Sequence, residues 1–210
     1  MATVLIIGAS KGVGLETIKQ ALEAGHKVRA LARSAEHIEI SNPNLVPISA
    51  SATDEVAINE AITGCNAVIT TLGISPTFQD VTLFSDSIQV VIKAMQNHGV
   101  KRLISVTGLG AGESKNSGNI FITKMLRPFF LGTIYDDKTR EEDHIQNSTL
   151  DWTIVRPGIL TRLPAKKTYQ VLTEKKKWKI GFISRADVAD FLINQIDDTA
   201  YIHKSPVLIY

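Results

Sequence analysis

The stretch Gly8-Ala9-Ser10-Lys11-Gly12-Val13-Gly14 decides the fold, because of what stands on either side of it. The apolar run Val4–Ile7 precedes it and predicts a buried strand, and the helical pattern of Leu15–Ala24 follows it, with Gly25 at its end. The first glycine permits a tight turn, the second lets a phosphate approach the backbone, and the third allows close packing of helix on strand. This order predicts a dinucleotide-binding turn, and a tight strand–helix turn that binds no nucleotide is the alternative.

The same alternation of apolar runs and helical stretches continues along the chain. Further strands are predicted at Lys27–Leu31, Asn44–Ile48, Ala67–Thr71, Arg102–Thr107, Trp152–Arg156, Tyr169–Thr173 and Pro206–Tyr210, with helices at Asp54–Ile62, Phe84–Asn97, Thr133–Asn147 and from Ser184 to about residue 196. Apolar strands separated by helices are typical of a parallel sheet covered on both faces. We therefore expect an α/β, doubly wound parallel sheet of the Rossmann type, as a single domain over residues 1–210. Small substrate-side elements at 108–132 and 159–183 would form a small C-terminal substrate cap.

Composition excludes several other classes of protein. Of 210 residues, 44% are hydrophobic and 21% charged, which excludes a disordered chain or a collagen-like repeat. The single cysteine, Cys65, excludes an internal disulfide framework, and the five histidines show no metal-ligand spacing, so no metal is expected. No apolar run approaches the ~20 residues of a membrane span, and Val4–Ile7 is too short for a signal-peptide core. These features predict a cytoplasmic protein.

The end of the second strand indicates which dinucleotide is bound. A site for NAD usually places an acidic residue ~20 residues beyond the glycines, where it bonds the ribose 2′-hydroxyl. Here the strand ends in Leu31-Ala32-Arg33-Ser34, with no acid. Arg33 can pair with a 2′-phosphate, Ser34 can add a hydrogen bond, and Lys11 can reach the same phosphate. NADP(H) is therefore preferred over NAD(H), although Arg33 as an ordinary solvated residue stays an alternative.

The net charge of +2 conceals an uneven distribution. The segment Arg162–Lys179 holds seven basic residues against one acid, Glu174, so acids are in excess elsewhere. Three interpretations stay open: a solvated loop, attraction of an anionic substrate or of the cofactor phosphates, and nucleic-acid or membrane contact through Trp178. Because the remainder of the chain is acidic, we expect no nucleic-acid or membrane partner. We expect a small-molecule partner instead, and the basic segment would allow that molecule to be anionic. The oligomeric state, monomer or dimer, stays open.

Several segments together carry a family resemblance over nearly the whole chain. They are the glycine turn, Ala24-Gly25-His26-Lys27-Val28, Leu31-Ala32-Arg33-Ser34, Thr71-Leu72-Gly73, Arg102–Thr107, Leu150–Gly158 and Ile183–Ala189. With them the sequence resembles the short-chain dehydrogenase/reductase superfamily. More narrowly it is similar to the atypical NAD(P)H-binding members, which include NmrA-like proteins and the flavin/biliverdin reductase B type.

The resemblance implies roles for residues that the glycine turn alone does not indicate. Thr71, Leu72 and Gly73 would line the nicotinamide half of the groove, and Pro157 and Gly158 would turn the chain beside the nicotinamide amide. Ser105 and Thr107 would lie beside the nicotinamide and the substrate. One departure is that Ala50-Ser51 stands where relatives often carry Gly-Asp for the adenine.

The catalytic pair of the superfamily is a second departure. Its members carry Tyr and Lys four residues apart, whereas this chain has Tyr135 and Lys138, three apart, and Ile134 at the four-residue spacing. Residues three apart still neighbour each other on a helix, so one interpretation is that Tyr135 and Lys138 form a catalytic pair. In the other interpretation, Tyr135 only packs and Lys138 forms an ordinary ion pair with Glu142. The acids of the Tyr135–His144 helix are interpreted as a solvated face.

Two functions fit these features. The first is an NADPH-dependent oxidoreductase that transfers hydride to a small conjugated, quinone-like or flavin-like acceptor, with water or a Ser/Thr hydroxyl supplying the proton if the tyrosine pair is absent. The second is a non-catalytic NADP(H)-binding redox sensor or regulator of the NmrA-like type. Both predict cofactor binding, and turnover distinguishes them.

Overall fold

The computed structural model describes residues 1–116 and 132–210, and its central feature is a sheet of eight strands. The strands within the described residues are β1 (Thr3–Ile7), β2 (Lys27–Ala32), β3 (Leu45–Ser49), β4 (Ala67–Thr70), β5 (Arg102–Val106), β6 (Asp151–Pro157), β7 (Ile159–Thr161), β8 (Gln170–Leu172), β9 (Phe182–Ser184) and β10 (Val207–Ile209). The α-helices in the same parts of the chain are α1 (Gly12–Glu23), α2 (Glu55–Ile62), α3 (Leu83–Asn97), α4 (Gly132–Gln146) and α5 (Arg185–Asn194).

The sheet has the order β3-β2-β1-β4-β5-β6-β10-β8, and only the β10–β8 pairing is antiparallel. The chain moves outward from β1 to β3 on one side and from β4 to β6 on the other, so the winding direction reverses between β1 and β4. In such sheets ligands bind outside the carboxyl ends of the strands at this reversal point. The predicted doubly wound fold is confirmed.

The central strands are buried on both faces because helices cover both. Alternate residues of β1 show this: Ile6 packs in the same cluster as residues of α1 and α5, whereas Leu5 and Ile7 pack with residues of α2, α3 and α4. Every residue of β4 and β5 is buried. The near-continuous apolar strand sequences follow from this double burial.

Several boundaries differ from the sequence-based expectation. Helix α1 begins at Gly12 rather than Leu15, so two glycines of the turn belong to the helix. Strand β7 was not predicted; it pairs in parallel with β9 in a separate two-stranded sheet. The predicted substrate-side element at 108–132 lies mostly outside the described residues, whereas 159–183 contains β7, β8 and the start of β9. In the described ranges, no helix is long and apolar enough to cross a membrane.

Candidate functional site

A groove of about 980 Å³ lies at the carboxyl ends of the strands. At one end it is lined by Ala50–Ala52, which follow β3, and at the other by Val106 at the end of β5, by Thr107 after it and by Pro157 at the end of β6. The glycine turn lies between these ends, directly after β1. The groove therefore crosses the reversal point of the sheet, which is where a doubly wound fold binds a dinucleotide.

The glycine turn is held by close backbone contacts that only glycine permits. Gly8 has φ +84°, and a Cβ atom on Gly14 would lie 2.3 Å from the Gly8 carbonyl oxygen and 2.6 Å from Thr71 Oγ1. The Thr71 hydroxyl donates to the Ile7 carbonyl at 3.0 Å, and the Gly8 amide donates to the Leu31 carbonyl at 2.9 Å. Thr71 thus fixes the turn in addition to lining the groove.

The first turn of α1 leaves its amide groups available to a ligand. Its N-cap residue, Lys11, makes no side-chain capping hydrogen bond, and no acidic residue lies in the first turn. Free amides and the positive end of the helix dipole favour a phosphate at this position. The Arg185 side chain approaches from α5, with Nε 3.9 Å from where a Cβ on Gly12 would lie. This arrangement suits the pyrophosphate of a dinucleotide.

The charge of the groove is strongly positive. Its cationic lining residues come from five separate segments: Lys11, Arg33, Lys138, Arg162 and Arg185. Among the lining residues of the described part of the chain, Glu16 is the acidic one, and it pairs with Lys19 at 2.9 Å. Within residues 1–116 and 132–210, no ion-pair partner is found for Lys11, Arg33, Arg162 or Arg185. Unpaired cations in a concave site attract a polyanionic ligand.

At the β5 end of the groove, Thr107 is hydrogen-bonded to a buried ion pair. Its hydroxyl donates to Glu142 Oε1 at 2.6 Å. Glu142 and Arg156 are both fully buried and form two hydrogen bonds, Nη2 to Oε2 at 2.6 Å and Nε to Oε1 at 3.1 Å. Arg156 also lies over the Trp178 ring, 5.0 Å from its centroid. Thr107 is therefore held in one orientation at the edge of the groove.

A second buried group of polar side chains surrounds Ser105 and Lys138. Ser105 is fully buried; its hydroxyl accepts from Thr70 at 2.7 Å and donates to Glu141 Oε1 at 2.8 Å. Lys138 Nζ donates to the Val106 carbonyl at 3.3 Å and lies 3.9 Å from Glu141 Oε2. Lys138 lines the groove, whereas Ser105 lies behind it. This position does not favour the predicted contact of Ser105 with a ligand.

Tyr135 lies outside the groove lining. Burial raises the pKa of its phenol. A Cβ atom built on Gly108 would lie 3.4 Å from the Tyr135 hydroxyl, and one on Gly110 would lie 3.2 Å from its ring. Tyr135 therefore packs against the glycines after β5, which favours the packing interpretation of this residue over the catalytic pair. The Lys138–Glu142 ion pair of that interpretation is not found among the described residues, where Lys138 lies beside Glu141 and Glu142 pairs with Arg156.

Removal of the Tyr135 hydroxyl is accordingly expected to leave catalysis intact. In Tyr135→Phe, we expect NADPH oxidation with an acceptor to keep its kcat within about twofold, since the ring packing is retained. Steady-state kinetics of the variant beside the unaltered protein measures this. A loss of kcat of a hundredfold, typical of removing a general acid, would restore the tyrosine–lysine pair.

The structure brings most of the predicted site residues together. Those that line the groove are Gly8, Ser10, Lys11, Gly12, Val13, Arg33, Ser34, Thr71, Leu72, Gly73, Thr107, Lys138 and Pro157. The predicted residues outside the lining are Gly14, Ser105, Tyr135 and Gly158. Gly158 instead permits a close approach of strands, because a Cβ there would lie 2.3 Å from the Gly181 carbonyl oxygen. The roles of all these residues stay predictions.

Sequence reasoning did not identify Arg162 and Arg185 as site residues, nor the apolar lining residues Ile74, Leu83 and Leu160. Of the seven basic residues in Arg162–Lys179, Arg162 is the one that lines the groove. Trp178, the aromatic residue of the nucleic-acid or membrane interpretation, is buried, and its Nε1 donates to the Leu172 carbonyl at 3.0 Å, which does not favour that interpretation. The solvated face predicted for α4 was also wrong, since Asp137, Glu141 and Glu142 are buried.

Comparison with known proteins agrees with this geometry. The model of a family described as NAD(P)H-binding matches residues 8–199. The chain is 29% identical over 204 residues to UPF0659 protein YMR090W of Saccharomyces cerevisiae, covering 92% of this chain and 86% of the yeast protein. The residues matched by the family model include the glycine turn, both ends of the groove and helix α5.

Two solved structures show the same architecture. ChuY of Escherichia coli, described as an anaerobillin reductase, is 27% identical with a TM-score of 0.83, and the match covers 99% of this chain and 96% of that one. A short-chain dehydrogenase/reductase of Veillonella parvula, solved in complex with NADP, is 16% identical with a TM-score of 0.86, covering 100% and 94%. The latter likeness shows the fold alone.

Proposed function

The chain belongs to the NAD(P)H-binding family, and from this premise we propose that it is an NADPH-dependent reductase of a small, conjugated acceptor. The observation that carries the proposal is the groove itself. It joins a glycine turn, an uncapped helix N-terminus and five cationic side chains in one cavity across the carboxyl ends of the strands. A dinucleotide with an extra phosphate matches this charge and shape.

The preference for NADPH over NADH rests on the β2 end of the groove. Arg33 is exposed there, beside Ser34, and no acidic residue occupies the position that would bond a ribose 2′-hydroxyl. Ala50 and Ser51 line the neighbouring surface, where the adenine would lie. A planar guanidinium suits a phosphate because it can form two parallel hydrogen bonds.

The proposed nature of the acceptor rests on the residues that line the opposite end of the groove, beside β5. The groove there is lined by apolar Val106, Leu83 and Ile74, with Lys138 as the cation. Such a surface suits a flat conjugated molecule, and Arg162 at the rim suits an acidic substituent on it. ChuY, similar in fold and 27% identical, is described as an anaerobillin reductase, which supports an acceptor of tetrapyrrole-like type.

Turnover with a panel of acceptors tests the proposal. The purified protein is mixed anaerobically with NADPH and with biliverdin, a naphthoquinone or FMN, and NADPH oxidation is followed by its absorbance. We expect oxidation that depends on both protein and acceptor and is slower with NADH. Tight NADPH binding without turnover on any acceptor would contradict the reductase and support the regulator of NmrA-like type.

The cofactor preference has its own test in Arg33→Ala. Loss of a charge-assisted contact is expected to weaken NADPH binding by about 1–3 kcal/mol and NADH binding much less, because NADH lacks the 2′-phosphate. Calorimetric titration with both dinucleotides measures the difference. Lys27→Ala is the matched control, because Lys27 is an exposed cation outside the groove at the opposite end of β2. Equal losses for NADPH and NADH in Arg33→Ala would remove the 2′-phosphate assignment.

A further inference from the structure

The hydrogen bonds at the β5 end of the groove restrict which side chain can give a proton to the acceptor. The Thr107 hydroxyl uses its proton on Glu142, and the Ser105 hydroxyl uses its proton on Glu141. A hydroxyl has a single proton to donate, so neither residue has one left for a ligand. Thr107 can only accept a hydrogen bond from the groove. These contacts argue against proton delivery by Ser105 or Thr107.

Lys138 has the hydrogens that Thr107 and Ser105 lack. It lines the groove although only 7% of its surface is exposed, and its Nζ lies 4.1 Å from the centroid of the Phe84 ring. An ammonium group carries three hydrogens. The Val106 carbonyl accepts one of them, so further N–H bonds remain to be directed into the groove or toward Glu141.

Glu141 lies immediately behind Lys138 and has one oxygen without a hydrogen-bond partner. Ser105 fixes its Oε1, whereas no donor among the described residues reaches the buried Oε2. That unpaired oxygen is the one 3.9 Å from Lys138 Nζ. A buried, unpaired carboxylate oxygen is costly, so its retention beside a groove-lining lysine points to a use.

We propose that Lys138 is the proton donor to the reduced acceptor and that Glu141 is a positioning residue whose carboxylate keeps Lys138 charged. The proposal rests on the reductase function above. Hydride leaves C4 of NADPH, forms a C–H bond on the acceptor and yields NADP⁺. The electron pair displaced onto the acceptor's heteroatom takes a proton from Lys138, and the neutral amine regains one from water.

The ionisation of the two groups supports these roles. Desolvation raises the pKa of Glu141 to about 7, so at neutral to alkaline pH its carboxyl becomes the anion that holds the Lys138 ammonium. Desolvation also lowers the pKa of Lys138, while the neighbouring carboxylates oppose that change. The other charged groups packed around the pair are Asp137 with its partner Arg140 on α4, and Glu142 with its partner Arg156 on β6.

The pH dependence of kcat in Glu141→Gln tests the role. Glutamine retains the acceptor for Ser105 but removes the negative charge beside Lys138, so the ammonium loses its proton at lower pH. With NADPH and biliverdin as substrates, we expect the alkaline limb of the pH profile of kcat to shift to lower pH by about one unit or more. At a fixed pH on that limb this corresponds to a roughly tenfold loss. Asp143→Asn, an exposed carboxylate on the same helix, should leave the profile unchanged.

A titration that needs no turnover separates this proposal from the reductase function. Lysines labelled with ¹³C at Cε are titrated by NMR in the NADP⁺ complex, and the Lys138 signal is assigned from its absence in Lys138→Met. We expect Lys138 to titrate below the other lysines, and lower still in Glu141→Gln. An ordinary Lys138 titration, or one that Glu141→Gln does not move, overturns the proposal. Failure of the unaltered protein to reduce biliverdin, the naphthoquinone or FMN contradicts the reductase function instead.

Discussion

Replacing Glu142 with glutamine is expected to lower the free energy of unfolding by about 3–5 kcal/mol, because it leaves a buried guanidinium without its main counter-charge. Glu142 and Arg156 are both fully buried and joined by two hydrogen bonds. The second partner of Arg156, Glu113, lies 3.4 Å away and is partly exposed, so it compensates poorly. Urea unfolding followed by circular dichroism measures the loss.

Two further variants decide whether burial of the charge causes that loss. Glu55→Gln breaks the exposed pair with Lys93 and should cost at most about 1 kcal/mol. Glu142→Met combined with Arg156→Leu removes both charges and should be more stable than Glu142→Gln alone. A loss below about 1 kcal/mol in Glu142→Gln would show that Arg156 does not depend on this pair.

Gly14→Ala is the second variant for which we expect a large effect. The direction of its change in unfolding free energy distinguishes tight packing from ordinary helix propensity. Alanine inside a helix ordinarily stabilises it by about 0.5–1 kcal/mol relative to glycine. Here the new Cβ would meet the Gly8 carbonyl oxygen at 2.3 Å and the Ala9 Cα at 3.0 Å. Because backbone atoms cannot move aside cheaply, we expect a loss of about 3 kcal/mol in unfolding free energy. We also expect NADPH affinity to fall by more than tenfold, since the displaced turn no longer presents its amides.

Gly73→Ala is the matched control for stability. Gly73 also lines the groove, but a Cβ there has open space around it. Urea unfolding should therefore distinguish the two variants, with Gly73→Ala close to the unaltered protein and Gly14→Ala far below it. A Gly14→Ala protein of unchanged stability and NADPH affinity would contradict the tight packing of helix on turn.

The fold could be predicted because its signals are local. The glycine turn, the apolar strands and the end of α1 at Gly25 each depend on neighbouring residues, and Gly25 does adopt a positive φ of +79°. Similarly, the predicted helix start at Ser184 depends on a neighbour, because the Ser184 side chain caps α5 by accepting from the Asp187 amide three residues on. Strand β7 escaped prediction because it is three residues long and depends on its pairing with β9.

The candidate site was predicted only where it lies on the glycine turn or the strand ends. Arg162 and Arg185 enter the groove from distant parts of the chain, and no local pattern distinguishes them from solvated cations. The burial of the acids of α4 could not be predicted for the same reason. Asp137, for example, is buried where its carboxylate accepts from the Phe84 amide and the Ser85 hydroxyl at the start of α3. Helical spacing places acids on a face but does not show what that face packs against.

Transfer of deuterium from NADPH to biliverdin tests the central claim most directly. NADPH carrying deuterium at both C4 positions is incubated anaerobically with the protein and biliverdin, and the product is analysed by mass spectrometry. The reductase function predicts a reduced tetrapyrrole with one deuterium on carbon, formed with NADPH and more slowly with deuterated NADH. A reduced product without carbon-bound deuterium, or no product from a protein that binds NADPH, would contradict it.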